Sequence, residues 1–292
     1  MPEYIEAKSI LSPLKNGPDP YFGIKYNMNL YRGCQHQCIY CDSRSTIYNI
    51  GNFSKIRIKK NATHLLENKL KKLRNKGTIG TGSMNDPYMP IEENEEITRE
   101  ALRIIAKYKF PIHILTKSDL VIRDIDLIRE IGNTYAAVSF SITTSDDMLS
   151  KKLEPGATVT SKRIAAMHTL SQLGIYTGAV LTPVLPYITN TKENISRIIN
   201  LVSKANGKYI LTWMGLTQRE GQREYFYNEL DKHFNGLSKK YNSLFGHDYN
   251  CMAPNSTELY THFNESCLNN NISTRMRFYN KPRPQQLTLF GK

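Results

Sequence analysis

The chain has 292 residues, 40% hydrophobic and 22% charged, enough for one large core or two smaller ones. Lysine and arginine number 39 against 26 acids, a formal charge of +13, so polyanions, DNA among them, are the expected electrostatic partners. No window approaches eighteen consecutive apolar residues, and the start, MPEYIEAKSI, has no apolar stretch behind a basic one; neither a transmembrane helix nor a secretory signal is expected, and the location is expected to be cytoplasmic with no membrane partner.

Taken in order, residues 1–24, with Pro13, Gly17, Pro18 and Pro20, read as an extended arm. Apolar or β-branched runs then recur at 26–31, 78–81, 111–116, 135–142, 175–181 and 209–214. Between them, apolar residues fall at helical spacing, first Leu65, Leu66, Leu70 and Leu73, then Ile97, Ala101, Leu102, Ile104 and Ile105. Ile125, Leu127, Ile128 and Ile131 form a third face, and similar faces follow around Met167 and Ile198. Six such repeats predict an α/β fold over residues 25–215, with a parallel sheet or barrel and helices packed outside. Chemistry in such folds gathers at the C-terminal ends of the strands. Beyond 215 the strand pattern stops. Residues 216–279 read as a mostly helical C-terminal extension, with helices at 222–234 and 256–268, and 280–292 as a flexible tail holding Pro282 and Pro284.

Five cysteines are present, three of them within eight residues: Cys34, Cys38 and Cys41, in YRGCQHQCIYCDSRS, directly after the first predicted strand. An odd number, so clustered, makes a poor disulfide framework. Three thiolates on one loop can hold three corners of a cubane iron–sulfur cluster and leave one iron open to a ligand. The alternative is a structural zinc site in a non-catalytic nucleic-acid-binding protein. It needs a fourth ligand, for which only His36 is nearby, lying between two of the cysteines. Gly33 allows a tight turn before the first cysteine.

This C-x3-C-x2-C loop, with Tyr40 before the last cysteine, resembles the signature of the radical S-adenosylmethionine (SAM) superfamily. Further blocks, SMNDPYMPIE (83–92), ILTKSDLVIRDIDLI (114–128), VSFSITT (138–144), LEPGA (153–157) and LTPVLPYITN (181–190), resemble its spore photoproduct lyase-like, or DNA repair photolyase-like, branch. The resemblance implies a partial (β/α)6 barrel, a [4Fe–4S] cluster held by Cys34, Cys38 and Cys41, and SAM. It also implies an external electron donor, reductive cleavage of SAM to a 5′-deoxyadenosyl radical, and hydrogen abstraction from the substrate. By the same resemblance, Thr81 and Ser83 lie where the SAM amino group is held, and Lys117 faces its carboxylate. Ser139 and Ser141 face the ribose, and Tyr40 meets the adenine through its backbone.

One departure bears on the reaction. Spore photoproduct lyase carries a cysteine hydrogen donor in its second-strand block, where this chain has Ser83, and a hydroxyl is a far poorer hydrogen-atom donor than a thiol. Tyr88 is a candidate replacement, as is Cys251 or Cys267 if the C-terminal region folds over the barrel mouth; buried packing is the ordinary expectation for both cysteines. A radical SAM enzyme acting on protein, RNA or a small molecule is therefore the alternative to one acting on DNA. Basic residues concentrate in 55–76, with nine Lys/Arg and one acid, Glu67, and no acid occurs in 275–292. In the tail, Gln286, Leu287, Leu289 and Phe290 resemble the pentapeptide by which bacterial replication and repair proteins dock on the β sliding clamp.

Overall fold

A computed structural model describes residues 2–280. The chain enters through two short strands, β1 (Glu3–Ile5) and β2 (Leu11–Pro13). It continues through β3 (Ile24–Met28), β4 (Tyr31–Arg32) and β5 (Arg57–Lys59). Then follow β6 (Thr78–Gly80), β7 (Ile112–Thr116), β8 (Ala136–Ser141), β9 (Tyr176–Leu181) and β10 (Ile210–Thr212). The last pair is β11 (Gly215–Thr217) and β12 (Asn250–Met252).

The main sheet has the order β10-β9-β8-β7-β6-β3-β2. Its strands from β3 to β10 run parallel, and β2 caps the β3 edge antiparallel. This is the six-stranded α/β arrangement of a partial barrel. Every residue of β8, Ala-Ala-Val-Ser-Phe-Ser, is buried, because a parallel sheet is covered on both faces. The helices Ala62–Lys72, Ile97–Lys107, Ile125–Gly132, Thr160–Gln172 and Lys192–Lys204 lie between successive strands. They bury the expected stripes: Leu66 and Leu70, then Ala101, Leu102 and Ile105, then Leu127, Ile128 and Ile131.

Three departures from the sequence reading matter for the site. The first predicted strand is two: the chain leaves the main sheet after Met28, and β4 joins β5 and β1 in a separate three-stranded sheet. The N-terminal arm is therefore paired, not free. Beyond 215, β11 and β12 form an antiparallel pair, and a helix at Leu237–Phe245 stands between the two predicted ones, found at Gln222–His233 and Ser256–Asn269. Among the described residues, no helix is long and apolar enough to cross a membrane.

Candidate radical-chemistry site

The cysteine loop is fixed by four distant segments. The Cys34 amide donates to the Phe53 carbonyl (3.3 Å), and the Ile91 amide donates to Gln35 Oε1 (2.7 Å). The LEPGA block supplies the opposite wall: Ile39 N–H donates to the Leu153 carbonyl (2.9 Å) and Gly156 N–H to the His36 carbonyl (3.0 Å). A Cβ at Gly156 would overlap the Gln35 carbonyl, so only glycine lets the two loops close. From the C-terminal extension, Gln222 Nε2 donates to the Tyr40 carbonyl (3.2 Å).

Cys34, Cys38 and Cys41 line one cavity with Gly82, Ser83, Met84, Asn85, Asp86, Lys117 and Ser141. This cavity lies at the C-terminal ends of β6, β7 and β8, where a parallel barrel collects its functional groups. Gly82 has φ +85° and sits so close to the Leu115 carbonyl that a Cβ would overlap it. That turn sends Ser83 to the cavity mouth, where its Oγ donates to Asn29 Oδ1 (3.3 Å).

Two buried polar groups fix the surroundings. Asp86 accepts from Thr116 Oγ1 (2.7 Å) and from the amides of Lys117 (2.7 Å) and Tyr88 (2.9 Å), and His36 Nδ1 lies 3.3 Å away. Burial alone would raise its carboxyl, but His36 and these donors hold it down to about 2. Glu154 and Arg163, both fully buried, form the second: Glu154 accepts from Arg163 and from the Tyr40 hydroxyl, and Arg163 Nη1 donates to the Ser141 carbonyl (2.8 Å). Lys117 Nζ stands 5.9 Å from the centre of the Tyr40 ring. Burial disfavours its charge, but Cys38 and Glu154 outweigh that and keep its pKa above the usual lysine value. Burial, with Asp86 and Cys41 nearby, pushes the Cys34 thiol up to about 12.

The predicted residues divide. The three cysteines, Ser83, Lys117 and Ser141 share the cavity. Tyr40 is buried behind it, with its carbonyl taken by Gln222 and its hydroxyl by Glu154 and Thr143. Thr81 has a buried hydroxyl oxygen with no partner among the described residues, and its amide donates to the His113 carbonyl (3.0 Å).

Ser139 shares the inward face of β8 with Ser141 but lies a layer deeper, its Oγ bonded to His113 Nε2 (2.8 Å) and the Tyr209 hydroxyl (2.6 Å); its hydroxyl is already spent. Tyr88 and Cys251 do not reach the cavity. Tyr88 is buried in the main core, where Asp124 and Glu92 oppose its ionisation. Cys251 is buried in a core that the extension shares with the cysteine loop, a cluster holding Cys38 and Tyr40 as well as Leu216, Phe226 and Tyr241, and it does not line the cavity. Cys267 is likewise buried.

Sequence reasoning gave Asp86 no role and missed Arg163; a buried carboxylate and a buried guanidinium leave no periodic trace. Glu154 was visible only as part of a motif that also reads as a turn.

A family model described as the Radical SAM superfamily matches residues 28–216. An uncharacterized protein of Methanocaldococcus jannaschii is 37% identical over 185 residues, 62% of this chain and 67% of its own length. A protein of Pseudomonas phage M6 named as a radical SAM Nα-GlyT isomerase is 25% identical over 178 residues, 61% of this chain and 36% of its own. Among solved structures, spore photoproduct lyase complexed with dinucleoside spore photoproduct superposes with a TM-score of 0.68 at 14% identity, covering 91% of this chain and 78% of that one.

Proposed function

The chain belongs to the radical SAM superfamily, and from that premise we propose that it is an enzyme acting on DNA, taking a hydrogen atom from a nucleotide in a repair or modification reaction. The observation that carries the catalytic part is the convergence of three thiols, a cation and a glycine-led turn on one cavity at the strand ends. The donor set fits a cubane better than a single ion. Three thiols of one loop line the cavity, the number that holds three corners of a cubane and leaves one iron open, whereas structural zinc needs a fourth ligand and the neighbouring His36 has its Nδ1 3.3 Å from Asp86.

When bound, the [4Fe–4S] cluster and SAM supply an electron from an external donor and the hydrogen-abstracting chemistry. The chain's own residues do the rest. Cys34, Cys38 and Cys41 hold the cluster, Lys117 offers a point cation to a carboxylate, and Ser83 and Ser141 offer hydroxyls at the mouth and inner wall. The Glu154–Arg163 pair keeps Tyr40 and the β8 end in place, and the buried loops exclude water.

The choice of DNA is supported by the +13 charge, and the spore photoproduct lyase whose fold this chain shares is itself complexed with a dinucleoside photoproduct. Ser83 in place of a thiol favours modification over photoproduct reversal. Anaerobic reconstitution with iron and sulfide should yield a chain that converts SAM to methionine and 5′-deoxyadenosine. Cys34→Ala, Cys38→Ala or Cys41→Ala should abolish both cluster and cleavage. Tightly bound zinc with no SAM cleavage would overturn the enzyme reading, and undetectable DNA binding at low salt would overturn the substrate reading.

The Gln286, Leu287, Leu289 and Phe290 motif lies outside the described residues. Its proposed partner remains a bacterial β sliding clamp; deleting residues 286–292 should abolish clamp pull-down and leave SAM cleavage intact.

A further inference from the structure

The small sheet beside the cysteine cavity gathers three cations, Arg32, Arg57 and Lys59, against one acid, Glu3. Arg32 on β4 stands directly opposite Arg57 on β5 in antiparallel register, a like-charge pairing that costs stability. Lys59, two residues along β5, shares the face of Arg57. The neighbouring Lys55 and Lys60 are ion-paired with Glu3 and Glu6. By contrast, among the described residues the hydrogen bonds of Arg32, Arg57 and Lys59 go to main-chain carbonyls: Asn49 for Arg32 (2.7 Å), Ile50 for Arg57 and Asn29 for Lys59 (2.6 Å); Glu3, in register with Arg57, is already paired with Lys55. Burial and the adjacent Arg32 depress the Lys59 pKa below the usual lysine value.

Lys8, Arg32, Lys59 and Tyr48 line a cleft of about 370 Å³, together with one acid, Glu6, whose carboxylate is paired with Lys60. Met84 and Asn85 line both this cleft and the cysteine cavity, and Asn85 Nδ2 donates to the Tyr31 carbonyl (2.8 Å), tying the second-strand turn to β4. The cleft therefore adjoins the cysteine cavity, with Met84 and Asn85 between the two.

We infer that this cleft is a phosphodiester subsite, in which Arg32, Lys59 and Lys8 take the backbone of a nucleic-acid strand while the neighbouring nucleoside passes over Met84 and Asn85 into the cavity. The inference rests on the reading that the substrate is nucleic acid. Guanidinium and ammonium groups that make no salt bridge among the described residues match regularly spaced phosphates. Tyr48 adds an aromatic face of the kind on which bases stack, which an acidic peptide would not use.

The test measures binding of a short labelled DNA oligonucleotide to the full-length, cluster-loaded protein across a series of salt concentrations. Arg32→Gln with Lys59→Gln should weaken binding roughly tenfold or more at low salt and lower the salt slope by about 2. Lys55→Gln with Lys60→Gln removes the same formal charge from paired, exposed positions and should change the slope by well under 1. Melting curves identify any variant that is misfolded, and Lys59→Gln alone, with a slope change near 1, serves where the double variant is. Equal losses in the two double variants, or none in the first, would overturn the subsite and leave the DNA reading standing. Failure of the unaltered protein to bind would remove both, and competition by an acidic peptide as effective as by DNA would reassign the cleft to a protein partner.

Discussion

At the scale of single residues, the pair Glu154–Arg163 carries the clearest consequence. A guanidinium with no solvent exposure is tolerable only while its carboxylate is present. Glu154→Ala should therefore destabilise the fold by about 3–5 kcal/mol, read as a lower denaturation midpoint. Pairing it with Arg163→Met should recover much of that loss without restoring SAM cleavage, because Tyr40 would keep Thr143 but lose its carboxylate partner.

His113 makes a prediction about acid. Folded, it is buried against Ser139, stacked on Phe22 at 4.8 Å between ring centres, and held by burial at a pKa of about 3 instead of 6.5. Between those values the unfolded chain binds a proton that the folded chain refuses, so stability falls as pH drops from about 6.5 towards about 3, by up to roughly 1.4 kcal/mol per pH unit. His113→Asn should flatten this slope in melting curves taken across that range, although it lowers stability at neutral pH. An unchanged slope would assign acid sensitivity to other groups.

At the scale of elements, the parallel strands were legible because each is a short apolar run closed by turn residues, and all six appear in order. The cysteine loop was legible because its spacing is itself the signal. The small sheet was not: β1, β4 and β5 have two or three residues each, too few for any alternation to stand out, and β4 looked like the end of β3. The surroundings of Ser139, Tyr88 and Cys251 were not legible in the sequence for a related reason. Period two gives the face of a strand but not the depth along it, and a thiol distant in sequence says nothing about which core it fills. Gly156 shows how elements meet at this site. Gly156→Ala should force apart the LEPGA turn and the cysteine loop, giving less iron bound per chain on reconstitution at an otherwise normal helical content. Full iron loading would show that the contact is dispensable.

At the scale of the whole molecule, the radical SAM match stops at residue 216, yet the site does not. Gln222 secures Tyr40, the Thr46 amide donates to the Glu220 carbonyl (3.1 Å), and the Tyr225 ring lies 3.7 Å from the Arg44 guanidinium. A chain ending at residue 216 should accordingly lose cluster retention and melt at a lower temperature than the full chain. The separations involved, 114 residues from Tyr40 to Glu154 and 182 to Gln222, also set an order of events during synthesis. The three cysteines emerge from the ribosome long before the walls that shelter them, and such distant contacts form late in folding. Iron delivered to the nascent chain would meet a bare, oxidisable loop. The same tying of early residues to late ones leads us to expect that the proposed cluster is inserted only after residue 222 has been made.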